Sequence, residues 1–164
     1  VSKKSNLSKI EQWDIRISRW MYVHGKPILR YSLALIFIWF GFLKITGDSP
    51  AEDVVAATVF WFDPEIFIPV LGVWEVLIGL FLCFRVTIRL ALLLLIFQMP
   101  GTFLPFIILP EICFTNIPYQ LSMEGQYIIK NLIIISAAIV VGGSVREPEF
   151  VKKDIKSADT ESDS

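Results

Sequence analysis

The stretch Glu65-Ile66-Phe67-Ile68-Pro69-Val70-Leu71-Gly72-Val73-Trp74-Glu75-Val76-Leu77-Ile78-Gly79-Leu80-Phe81-Leu82-Cys83-Phe84 decides the fold. After Glu65 it holds a single charge, Glu75. About 20 mostly apolar residues in a helix, each rising about 1.5 Å, cross roughly 30 Å of hydrocarbon. This stretch is therefore a membrane span. Gly72, Glu75 and Gly79 fall on one helical stripe. Glycines there let another helix come close, so the stripe faces protein and not lipid. Counting from Glu65 places Glu75 about 15 Å deep, near the midplane.

Three more stretches read the same way: residues 27–45 around Leu33-Ala34-Leu35-Ile36-Phe37-Ile38-Trp39-Phe40, residues 86–109, and residues 127–143. Only Arg85 and its neighbours separate the second span from the third, which makes a tight helical hairpin. Pro100, Gly101 and Pro105 should kink or divide the third span. The whole chain agrees: 164 residues, 54% hydrophobic, 19% charged, mean hydropathy +0.61 and net charge −1. A chain of this size could not cover four such helices as a soluble core. Its charge balance gives no basic field for nucleic acid.

Charge placement sets the expected topology. Lys3, Lys4, Lys9, Arg16, Arg19, Lys26 and Arg30 precede or open the first span. Arg85 and Arg89 mark the hairpin, and Arg146, Lys152, Lys153 and Lys156 follow the fourth span. The loop after the first span is acidic, with Asp48, Glu52, Asp53 and Asp63. Glu111 and Glu124 lie in the loop after the third. Four crossings put every basic cluster on one side, the cytoplasmic one, with both termini there.

Two flanking helices are expected. Ser8-Lys9-Ile10-Glu11 has capping-box form, and Ile10, Trp13, Ile17, Trp20 and Met21 follow at helical spacing. Residues 1–26 thus read as an amphipathic segment at the cytoplasmic interface, anchoring the first span. Ser49-Pro50-Ala51-Glu52 opens a short outer capping helix toward Phe60-Trp61-Phe62. Residues 144–164 read as a disordered cytoplasmic tail.

Much chemistry is excluded. Cys83 and Cys113 fall at opposite membrane faces, too far apart to pair, and no Cys-x-x-Cys occurs. His24 is the only histidine, too few for a zinc site or a bis-His haem. No metal site and no covalent cofactor is expected. What remains is a set of polar residues in the outer half. Ionisable side chains cost about 2.5–3.5 kcal/mol each at a span centre, so they need a reason. Lys44 ends the first span, Gln98 lies about 18 Å along the third, and Lys130 and Asn131 lie one turn into the fourth. Thr102, Gln126 and Tyr127 share that half. Glu75, Lys44, Gln98, Gln126, Lys130 and Asn131 are the candidate cluster. Two readings stand side by side: a paired carboxylate that fixes helix register, or a small pocket for a quinone head group, a proton or another small ligand. Lys44 and Lys130 are both open as the partner of Glu75.

The same residues resemble a known family. Tyr31 to Lys44, ending Gly41-Phe42-Leu43-Lys44, is similar to the first span of DoxX-like membrane proteins, and Gly72-Val73-Trp74-Glu75-Val76-Leu77-Ile78-Gly79 to their second. Thr102-Phe103-Leu104-Pro105 and Glu124-Gly125-Gln126-Tyr127-Ile128-Ile129-Lys130-Asn131 resemble signatures of the YkgB-type branch. The resemblance covers residues 28–143. It implies a four-helix protein of the bacterial inner membrane. Some relatives are linked to quinone-coupled sulfur oxidation, others to oxidative-stress resistance. It supplies no catalytic set, and only Lys44, Glu75, Gln126, Lys130 and Asn131 match family positions. The resulting expectation is an all-α, four-span bundle serving as an accessory redox or stress component, not an enzyme alone. The alternatives are a subunit of a quinone-interacting oxidoreductase and a small-solute or proton carrier. Expected partners are the lipid bilayer, a membrane or peripheral redox protein, and a second copy meeting at Gly72/Gly79 or Gly142/Gly143.

Overall fold

The computed structural model describes residues 9–145. The chain is an all-α integral membrane protein whose four apolar helical segments are long enough to span: Ile10–Thr46, Pro64–Cys83, Ile88–Ile108 and Met123–Ser144. The capping serine at Ser8 and the tail beyond Val145 lie outside the described residues.

The amphipathic segment and the first span form one continuous helix, α1 (Lys9–Thr46, 38 residues). Pro27 sits inside it without ending it. Its ring is exposed, so the carbonyl it leaves unbonded one turn earlier is not trapped in the core. Gly47, at φ +79°, ends the helix in the left-handed conformation that suits glycine. The capping helix α2 (Glu52–Thr58) begins three residues after Ser49, later than the capping box implies. Ser49 spends its hydroxyl on the Ala51 N–H within the preceding turn. Asp63 caps α3 (Pro64–Cys83) by accepting from the Glu65 N–H at 3.0 Å. The hairpin closes on Thr87, whose hydroxyl donates to the Phe81 carbonyl at 2.8 Å, an acceptor at the end of α3 that it shares with the Phe84 N–H.

Of the two prolines in the third span, only one breaks it. α4 (Ile88–Phe103) carries Pro100 internally; Leu104 interrupts the helix, and Pro105 starts α5 (Pro105–Ile108). A short α6 (Pro110–Cys113) follows, then a hairpin of β1 (Phe114–Asn116) and β2 (Gln120–Leu121) that hydropathy did not reveal. The fourth span starts at Met123 rather than Tyr127. Ser122 caps α7 (Met123–Ile129), accepting from the Gly125 N–H at 3.0 Å and donating to the Ile112 carbonyl at 2.6 Å. One residue, Lys130, separates α7 from α8 (Asn131–Ser144).

The helices close a ring, α1 on α3, α3 on α4, α4 on α8 and α8 on α1. The tightest seam joins α1 and α3. A methyl added at Gly41 would stand 2.6 Å from the Gly72 carbonyl oxygen, and one at Gly79 2.7 Å from the Ala34 carbonyl oxygen. These are backbone-to-backbone contacts that only hydrogen side chains allow. Gly72 and Gly79 are thus used within the chain and are not free to join two copies. Toward the end marked by Arg85 and Arg89, the basic end, Leu33, Ala34, Phe37, Ile78, Leu82, Ile88, Ala91, Leu95, Ala137, Ala138 and Val141 fill the interior. Toward the opposite, acidic-loop end the interior opens.

Candidate functional site

Side chains on a helix tilt toward its N-terminus. α1 and α3 run antiparallel, so residues beyond the seam on each helix lean toward one another. Lys44 lies three residues past Gly41, and Glu75 three past Gly72. Both lean into the bundle and meet: Lys44 Nζ donates to Glu75 Oε2 at 2.6 Å. They are 8% and 7% exposed, so this is a buried ion pair. Of the two lysines open to Glu75, the structure selects Lys44, whose stem turns inward.

Gln98 completes the cluster from α4, its Nε2 donating to Glu75 Oε1 at 2.8 Å. A carboxylate only accepts, so the amide must present its nitrogen to Glu75. The Gln98 oxygen is then left buried with no partner among the described residues. Each Glu75 oxygen holds one donor, from two different helices. That arrangement offsets much of the penalty of placing a carboxylate at this depth.

Above the pair lies a cavity of about 810 Å³, lined from all four spans and from α2. Lys44, Glu75 and Gln98 form part of its wall, and Lys130 and Asn131 another part. Trp61, Trp74, Phe97 and Tyr127 give it aromatic sides. Trp74 packs against Phe97 and Phe40 against Tyr127, each pair with centroids 6.0 Å apart. Thr58, buried in α2, turns its hydroxyl back to the Val54 carbonyl at 2.5 Å, so the α2 side presents mainly carbon. The two helix interruptions, at Leu104 and Lys130, both fall at this level.

Five of the six candidates thus share one cavity. Gln126 does not: it is exposed, and its amide reaches only the Leu121 carbonyl, at 3.5 Å. Its neighbour Tyr127 takes the inward position, because starting α7 at Met123 sets which residue turns toward the bundle. Arg30 was legible only as a flanking charge. It is 9% exposed, its Nε has no partner among the described residues, and its guanidinium lies over the Tyr31 ring at 4.5 Å. Among the described residues no three His, Cys, Asp or Glu side chains group as they would around a metal ion.

The first three spans also match a known family. The model of one family, DoxX, matches residues 25–108, half of the chain. The chain belongs to the DoxX family. The match takes in Lys44, Glu75 and Gln98, the hydrogen-bonded core of the site, and leaves Lys130 and Asn131 beyond it. No curated protein and no solved structure matches this DoxX chain.

Proposed function

We propose that this DoxX-family protein is an accessory redox component of a bacterial inner membrane that holds a quinone in the cavity above Lys44, Glu75 and Gln98. One observation carries the reading: a mostly apolar cavity of about 810 Å³ whose wall includes a few polar groups, Lys44, Glu75, Gln98, Lys130 and Asn131 among them. Pockets for small amphipathic ligands have that make-up and lie in the range of about 300–1,000 Å³. The residues fit a quinone. Trp61, Trp74 and Phe97 offer faces to a flat ring, Lys130 and Asn131 offer donors to its oxygens, and the apolar remainder accepts a prenyl tail. A bound quinone would supply two-electron redox chemistry; the chain's own residues bind, orient and exclude water. A register role alone needs the Lys44–Glu75 pair but gives no reason for the space above it.

The orientation that fits this reading puts the basic end, and both termini, in the cytoplasm. The cavity then lies in the outer half of the bilayer. Oxidative-stress physiology and a redox partner protein belong to the same proposal, as does placement in the YkgB-type branch, which rests on the stretch from Glu124 to Asn131. Purification in mild detergent followed by solvent extraction tests it. A quinone should co-purify, and added short-tailed quinone should quench Trp61 and Trp74 emission to saturation. No extracted quinone together with unsaturable quenching overturns the proposal.

A further inference from the structure

The charges on the cavity wall do not balance. Lys44 and Glu75 neutralise each other at 2.6 Å, and Gln98 takes the second carboxylate oxygen. Neither Lys44 nor Glu75 has charge to spare for a ligand. Lys130 differs. It lines the same cavity, its side chain is exposed, and among the described residues it has no carboxylate within ion-pair distance. Its placement is fixed by the main chain: its N–H donates to the Gln126 carbonyl, and its own carbonyl accepts from the Ile133 N–H. It is therefore held at the junction of α7 and α8 without help from its ammonium group. Glu75 is the only acid on the wall, so the lining as a whole carries one net positive charge.

Opposite charges attract far more strongly beside low-dielectric walls than in water. A neutral ring gains only a hydrogen bond from Lys130; an ionised one gains a charge pair as well. We infer that the cavity selects an anionic head group: a quinoid or phenolic ring bearing an ionised oxygen, with Lys130 as its counter-charge and Asn131 as a neighbouring donor. This rests on the quinone reading above and narrows it to acidic members of that class. The aromatic walls accept charged and neutral rings alike, so the discrimination resides in Lys130.

The test uses the full chain in nanodiscs of zwitterionic lipid, which removes competing anionic headgroups. Two probes share one ring: a hydroxynaphthoquinone ionised at neutral pH, and its uncharged methyl ether. Each is titrated by quenching of tryptophan emission. The ionised probe should bind about tenfold more tightly, a modest fraction of a full charge–charge interaction. Lys130→Gln keeps a donor but removes the charge, so it should bring the ratio near one, chiefly by weakening the ionised probe, and Lys130→Arg should preserve it. Equal binding of both probes to the native chain overturns this inference and leaves the quinone reading standing. A ratio that survives in Lys130→Gln also overturns it, because the charge then acts elsewhere. Binding of neither probe overturns the quinone reading itself and this inference with it.

Discussion

The two halves of this bundle are built from the same four spans and have opposite interiors. At the basic end, alanines, leucines and isoleucines close-pack; Ile78, Leu82 and Ala91 are fully buried. At the acidic end the same helices enclose about 810 Å³, with Lys44, Glu75 and Lys130 in the wall. Composition alone does not produce the difference. The α1–α3 seam pins its pair of helices together by glycine contacts, and the third and fourth spans line the space on the other side of the polar cluster. Rigid packing at one end is what allows a polar, hollow interior at the other to keep its shape.

The ion pair gives the largest way to test that contrast. Glu75→Ala strands a buried ammonium and should cost about 3–5 kcal/mol, read by unfolding in mixed micelles. The double variant Lys44→Met/Glu75→Leu should recover most of that loss. If the double variant is as unstable as the single, the pair is not what balances the site. Next in size is the seam. Gly72→Ala drives a methyl into the Gly41 carbonyl and should destabilise by about 1–3 kcal/mol. Thermal unfolding that leaves this variant level with the native chain would disprove the close approach.

Gln98→Met removes one hydrogen bond to Glu75 but also the unpartnered oxygen, so its loss should be smaller, about 1 kcal/mol. A larger loss would mean that oxygen has a partner. Smallest is Gly143→Ala, where an added methyl meets nothing within 4 Å. Better helix propensity should make it neutral or stabilising by less than about 1 kcal/mol. The loop at the acidic end gives a pH-dependent check. Burial pushes the Cys113 thiol above the usual range, and the negative charge of Glu124 adds to it. The folded chain then holds that proton more tightly than the unfolded one. Stability should be full below the ordinary thiol range and fall as pH rises through and above it, a fall missing from Cys113→Ala.

The spans were legible because a membrane helix is apolar all round, and residue counts alone then set depth. Glu75 was legible because one acid among glycines is conspicuous at mid-membrane. Lys44 as its partner was not decided by counting: Lys44 and Lys130 both reach the right level, and only the antiparallel seam makes Lys44 lean inward. The junction at Lys130 left no mark in the sequence, having neither Pro nor Gly. Gln126 was misplaced because the start of α7 is set by Ser122, and a small change in register exchanges Gln126 for Tyr127 on the inner face. Pro27 looked like the start of a span and Pro100 like a kink or break, yet both sit exposed inside continuous helices, each leaving one carbonyl acceptor unpaired a turn earlier.

The length of α1 has a mechanical consequence. Its packed stretch runs from Arg30, which is buried, through the Ala34 and Gly41 contacts to Lys44, whereas residues 10–25 are all exposed. About 30 Å of helix, from Arg30 back to Ile10, therefore projects from the bundle as one arm. A tilt of that arm by about 4° carries Ile10 through about 2 Å while the contacts around the cavity stay in place.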